Sequence, residues 1–204
     1  MSATRLRDQI YSHVHAAVFR PRGFRKDKRW IHKKVNAFHF AVERPQHRFE
    51  SPEHATLGLE VYIFHEAFHS LMIGWPTFPG VDRMSVPAFN RGLRWLAGLA
   101  EDFDNIYPSS DVASVSAAVG QAIEASVLPL FERGASLEGL ASIVDELIPP
   151  SWQKTKTVSG LLLLQGKKAH ARAVLGSAIE VATGTELREL LNVQSKLFTS
   201  PTQD

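Results

Sequence analysis

Apolar positions near the start of the chain fall at helical spacing and then switch to alternation. Leu6, Ile10, Val14 and Val18 recur every fourth residue, which predicts a first helix over Ser2–Phe19 with Ser2 as its N-cap and Pro21 and Gly23 as its stop. From Phe24 to Lys34 the chain is heavily charged. Its only apolar residues after Phe24 and before Val35 are the adjacent Trp30 and Ile31, too close together for a helical stripe, so a short strand over Arg29–Lys33 is expected. Val35–Arg44 alternates clearly, with Phe38, Phe40 and Val42 on one face and His39, Ala41 and Glu43 on the other. Leu57–Ile63 repeats the pattern, placing Leu57, Leu59, Val61 and Ile63 inward and Thr56, Gly58, Glu60 and Tyr62 outward. Pro45–His54 reads as a polar connection between them. An antiparallel meander packed on the first helix follows.

Helices are expected beyond Gly74. Ser85 as N-cap and Pro87 just inside it open a helix through Leu99. Asp111 opens a long one through Ala117, Ile123, Val127 and Leu130, with Pro129 set to bend it. Ser136 caps another that runs to Leu147. Pro149-Pro150 then marks a boundary between a core domain over 1–148 and a helical appendage over 151–204. In the appendage, Gly160–Ala173 and Thr185–Leu197 read as a helical pair joined near Gly184, with small residues and a leucine run of the kind seen in one tetratricopeptide-type hairpin. The fold class is therefore α+β: an N-terminal helix on an antiparallel meander, then helices, then a C-terminal helical hairpin.

Composition narrows the class without naming a function. With 44% apolar and 22% charged residues the chain can bury a core, and the absence of cysteine removes disulfides, thiolate metal sites and a cysteine nucleophile. The opening residues carry no apolar leader segment, and no later stretch reads as a membrane span, so a cytoplasmic protein without membrane contact is expected. The net charge of +2 conceals an uneven distribution. Residues 1–50 hold 12 Lys/Arg against 4 Asp/Glu, whereas residues 51–150 hold 4 against 13. Such a basic beginning could meet an anionic partner or form one face of a self-complementary fold.

One motif carries sharp chemistry. His65-Glu66-Ala67-Phe68-His69 matches H-E-x-x-H, in which two histidines one helical turn apart ligate zinc and the glutamate acts as general base on the metal-bound water. Against it, Met72 and Trp75 stand where the longer form of the motif needs glycine and histidine, and nothing selects Glu101, Asp102 or Asp104 as a third ligand. The motif also continues an alternating strand, and eight of the nine histidines lie before Ser70, which favours a chance match. The expectation is no metal and no cofactor, with Phe64 and Phe68 anchoring a short turn and both histidines facing water. Phosphate-cradling glycine loops and the G-x-S-x-G elbow are absent. Arg20–Lys34, with Arg25, Lys26, Lys28, Arg29, Lys33 and Lys34 around Phe24 and Trp30, has the mixture of a nucleic-acid surface, and equally that of an edge strand protected by charge.

The order of features resembles a family of bacterial proteins catalogued only as a domain of unknown function. The resemblance rests on the opening helix, on Gly23-Phe24-Arg25-Lys26 leading to a strand with Trp30, on Val35–Val42, on Leu57-Gly58-Leu59-Glu60-Val61-Tyr62-Ile63, and on Val127-Leu128-Pro129-Leu130-Phe131 followed by Ser136-Leu137-Glu138-Gly139-Leu140. It covers roughly Arg5 to Leu147. The resemblance implies a variable turn after the third strand, where H-E-x-x-H is not a shared element, and it brings no activity whose residues could be carried over. Three functions compete: a non-enzymatic protein-interaction module, which is the leading expectation, a zinc hydrolase built on His65, Glu66 and His69, and a nucleic-acid binder using Arg20–Lys34. No catalytic residue can be singled out.

Overall fold

Residues 1–45, 51–74, 78, 80–81 and 85–198 are described by the computed structural model. Packing divides the chain into two units, Met1–Ile63 with Phe89–Glu132, and Phe64–Ala88 with Arg133–Asp204.

The first unit begins with α1 (Ala3–Val14), whose predicted stripe of Leu6, Ile10 and Val14 is buried. The chain stays helical through a π turn (His15–Phe19) and a 3₁₀ turn (Arg20–Arg22), and Gly23 ends it as expected. Ser2 occupies the N-cap position, but its hydroxyl is hydrogen-bonded to Thr4 Oγ1 at 3.1 Å and caps no backbone N–H. Two hairpins' worth of strand follow: β1 (Arg25–Asp27), which the sequence pattern did not reveal, β2 (Trp30–Val35) and β3 (Phe38–Glu43). β2 and β3 pair with Ile31 opposite Val42 and Trp30 opposite Glu43.

The strand predicted over Leu57–Ile63 begins only at Glu60, and a separate short strand precedes it. β4 (Ala55–Thr56) pairs with a later short strand, and Leu57 N–H prolongs that pairing by donating to Asp104 O at 2.8 Å. Gly58 then turns the chain at φ +52, a left-handed conformation that a Cβ would disfavour, and β5 (Glu60–His65) enters the main sheet. Leu57, Leu59, Val61 and Ile63 are buried as predicted.

The helix expected over Ser85–Leu99 is absent. Its place is taken by β6 (Phe89–Gly92), which pairs antiparallel with β5 (Ile63 opposite Phe89), and by a single turn, α3 (Leu93–Leu96). Phe89 and Leu93 suit either period, and long-range pairing with β5 decides the outcome. The Ser85 hydroxyl donates to Gly80 O and serves as no cap. The result is a five-stranded antiparallel sheet in the order β1-β2-β3-β5-β6, and beside it a two-stranded ladder of β4 with β7 (Asn105–Ile106).

Asp111 caps the long helix by accepting the N–H groups of Ala113 and Ser114. The helix runs as α4 (Val112–Ala122), a π turn (Ile123–Val127) and α5 (Leu128–Arg133). Pro129 has no N–H to offer and its ring crowds the carbonyl four residues back, so the irregularity expected from it takes the form of that π turn. Val112–Arg133 is also long and apolar enough to span a membrane by length and composition alone, with an 18-residue window of mean hydropathy 1.3. That corrects the sequence expectation that no such stretch exists. Here it is packed on α1, with Val119, Ile123, Val127, Leu130 and Phe131 buried and Glu124 ion-paired to Arg22 at 2.9 Å.

The described residues of the second unit are helical apart from loops and from Phe64 and His65, the end of β5. α2 (Glu66–Ile73) packs on α7 (Trp152–Leu164), where a Cβ at Gly160 would collide with Met72 Cε and the Phe68 ring. α6 (Leu137–Leu147) is capped by Ser136 Oγ, which accepts Gly139 N–H at 3.0 Å, as the sequence predicts. The single helix expected over Gly160–Ala173 is corrected to the end of α7 and the start of α8 (Lys168–Val181). Gly166 breaks it at φ +75. α9 (Gly184–Phe198) completes the hairpin close to its predicted bounds. Pro149 and Pro150 join α6 to α7 inside this unit, while the packing boundaries fall between residues 63 and 64, 88 and 89, and 132 and 133. Of the connection expected over Pro45–His54, residues 46–50 lie outside those described.

Candidate functional site

The H-E-x-x-H segment does not assemble as its pattern suggests. His65 is the last residue of β5 and the N-cap of α2, with extended backbone (φ −131°, ψ 128°), so only Glu66 to His69 are helical and the two imidazoles do not share a helical face. The β-strand leading into His65 left no room for the preceding turn, as its alternation implied. His65 Nδ1 accepts Phe68 N–H at 3.3 Å, and His69 Nδ1 accepts Val86 N–H at 3.0 Å. A neutral imidazole that accepts at Nδ1 carries its proton on Nε2. Neither ring therefore offers Nε2 as a ligand while it holds its backbone partner, the opposite of the usual arrangement in which the ring nitrogen away from the metal donates. Among the described residues no three His, Asp or Glu side chains are grouped to hold a metal ion, Glu101, Asp102 and Asp104 included. One detail is corrected: both histidines are buried, His69 completely, and do not face water. Phe64 and Phe68 do anchor the turn.

The basic segment is largely consumed by its own fold. Phe24 is buried and stacked on Phe131 at 5.9 Å, and Trp30 is buried edge-on to Tyr62 at 5.3 Å, so neither ring is open to stack on a base. Lys33 Nζ donates to Arg22 O at 2.8 Å, and Arg29 Nε pairs with Glu43 at 3.0 Å. β1, with all three residues exposed, is the outer strand of the sheet and is guarded by Arg25 and Lys26, as the edge-strand reading has it.

A polar network that the sequence reading passed over lies on the face of the sheet assigned to solvent. Glu43 is buried, ion-paired to Arg29, and accepts the Tyr62 hydroxyl at 3.0 Å. Glu60 accepts Asn90 Nδ2–H at 3.3 Å, and burial, with Glu43 and Asp104 adding to it, raises its pKa above the ordinary 4.5. His32, on the same face, is lowered by burial. Alternation gave no signal for these groups, because a charged residue at an outward strand position ordinarily means water.

One concavity belongs to the helical unit. Between α6, α7 and α8 lies a groove of about 820 Å³. Val158, Leu162, Val174 and Ala178 form its apolar lining, and Val181, 81% exposed, stands at its mouth. The Asp145–Lys154 ion pair at 3.0 Å, His170 and Glu186 make a polar rim of mixed charge. Ser151, at the turn from α6 into α7, caps α7 by accepting Lys154 N–H at 3.2 Å and so holds that wall in place. Among the described residues no group of three His, Asp or Glu lies there to hold a metal ion.

No family model, no curated protein and no solved structure matches this chain, which leaves the bacterial resemblance resting on its quoted residues alone.

Proposed function

We propose that the protein is a non-enzymatic protein-interaction module whose binding face is the α6–α7–α8 groove, and that the occupant is an amphipathic helix of a partner protein. The observation that carries this reading is the apolar lining with a mixed-charge rim on rigid helices. That is the anatomy of a protein interface, with a desolvated centre and a polar border. A groove of this size takes two or three apolar side chains from successive turns of one helix, the helix-in-groove mode of recognition. In helical-repeat proteins the open face of one hairpin is covered by the next, so a helix is the natural complement of this surface. The alternative built on His65, Glu66 and His69 is disfavoured by the accepting Nδ1 atoms, and the nucleic-acid reading by the buried Phe24 and Trp30 rings.

Selection from a displayed library of helical peptides, with Val174→Glu as counter-target, tests the proposal. Peptides enriched on the wild-type protein should carry apolar residues at i, i+3 or i+4, and i+7, and should lose at least tenfold in affinity for Val174→Glu, about 1.4 kcal/mol. The variant should melt as the wild type does, because Val174 is only half-buried. Peptides that bind both proteins equally, or a selection that enriches none, would sink this reading.

A further inference from the structure

Charge is unevenly placed along one wall of the helical groove. His170, Val174, Ala178 and Val181 line it from α8 at helical spacing, and Lys167, the N-cap residue of α8, stands one turn ahead of His170 on the same row. The wall continues through Ala182 to Glu186 in the first turn of α9. It therefore opens on a lysine and an imidazole and closes on a carboxylate. From His170 to Ala182 it is about 18 Å long, roughly three turns of α-helix. Lys167, His170 and Glu186 are exposed, and among the described residues none of the three has an ion pair or a side-chain hydrogen bond.

The facing wall is settled internally along most of its length. Asp145 holds Lys154 at 3.0 Å, and the same ammonium donates to the Asp145 carbonyl. Glu146 is taken by Arg133. Glu138 stands at the start of α6, where Gln165 Nε2 donates to Leu137 O at 3.0 Å and so ties that start to the end of α7. It therefore shares an end of the groove with Lys167 but lies across from it. An occupant meets opposite signs on its two flanks at that end. At the other end it meets Glu186 and the exposed Val181, with Asp145 already matched.

We infer that the helix accepted by the groove is charge-polarised along the flank that faces α8, with a carboxylate at the Lys167 and His170 end and a lysine or arginine, about three turns away, beside Glu186. The groove must be the binding face for this to hold; the charges then decide which helices it selects. Its apolar lining alone accepts any amphipathic helix, in either direction and at more than one register. Unmatched charges at the two ends of one wall remove that freedom. A helix shifted by one turn loses both pairings, and one laid in reverse also sets like charges together. The pairs are exposed, so they set register and partner choice more than affinity.

The library peptides whose binding depends on Val174 are the probes. In each, the cation flanking the apolar row is changed to glutamate, and separately the carboxylate at the other end to lysine. Affinities for the wild type, Glu186→Lys and Lys167→Glu are then read by fluorescence anisotropy. Each peptide change should weaken binding to the wild type about threefold or more. Glu186→Lys should restore the first peptide and Lys167→Glu the second, each leaving the other unrescued, and added salt should erase both rescues. Arg188→Glu, exposed on α9 and outside the groove lining, should rescue neither. All three protein positions are exposed, so the variants keep the fold. Peptides that need Val174 but carry no such charges, or whose reversals go unrescued, overturn the charge code and leave the groove reading intact. A library that yields no Val174-dependent peptide overturns both. Self-association of the wild type that Val174→Glu abolishes overturns the code too, by giving the groove to a second copy of the chain.

Discussion

The two faces of the five-stranded sheet are both sheltered, and they achieve it by opposite means. On one face Ile31, Phe38, Phe40 and Val42 are buried, and Phe40 meets the Phe131 ring at 5.1 Å. The other face carries Trp30, His32, His39, Glu43, Tyr62 and Glu60, so that every residue of β3 is buried whichever way it points. Burial of the first face is stabilising in itself. Burial of the second costs desolvation that must be offset group by group, which is why Glu43 sits between Arg29 and Tyr62 and Glu60 lies beside Asn90. A β-sheet thus shows where polarity is tolerated by showing where its partners are.

Substitutions on each face sharpen this contrast. Truncation of Phe40 to alanine leaves a cavity among aromatic neighbours and should lower unfolding free energy by about 3 to 5 kcal/mol in a denaturant titration. A loss near zero would mean that the apolar face carries no core. Glu43→Gln keeps the shape and the acceptor for Tyr62 but removes the charge facing Arg29, so a smaller loss of about 1 to 3 kcal/mol is expected from the same measurement. If Glu43→Gln matched the wild type, the ion pair would be idle.

Glu60→Gln should move in the other direction, by the least. Burial raises the folded-state pKa of Glu60 above 4.5, so the native fold binds that proton more tightly than the unfolded chain does. The corresponding stability is whole below 4.5 and is lost as the pH rises through the folded value. Glutamine cannot ionise, so the variant should melt slightly higher than the wild type at neutral pH, and the advantage should vanish on acidification below that point. Equal melting at all pH values would show that water reaches the carboxylate freely.

The features legible in the sequence were those governed by local rules. The stripe of α1, the alternation of β3, the Ser136 cap and the Asp111 cap each depend on a few neighbouring residues, and each is present. The features missed were settled at long range. Phe89 and Leu93 read as helix until β5 supplied a pairing partner, and Glu43 and Glu60 read as solvated until the sheet's second face proved covered. The H-E-x-x-H residues are divided between a strand end and a helix, as the alternation leading into them implied, since His65 ends β5 and is the N-cap of α2.

The break at Gly58 has a further consequence, for errors in assembly. Leu57 to Ile63 is an alternating apolar stretch of the kind that can slide by one residue against its neighbour and turn every core side chain outward. Because β4 is tied to β7 and β5 to β6, on either side of one left-handed residue, a slip in either ladder would have to drag the other out of register as well. The segment behaves as a double latch, and the mispairing and aggregation open to a continuous strand of this composition are closed to it.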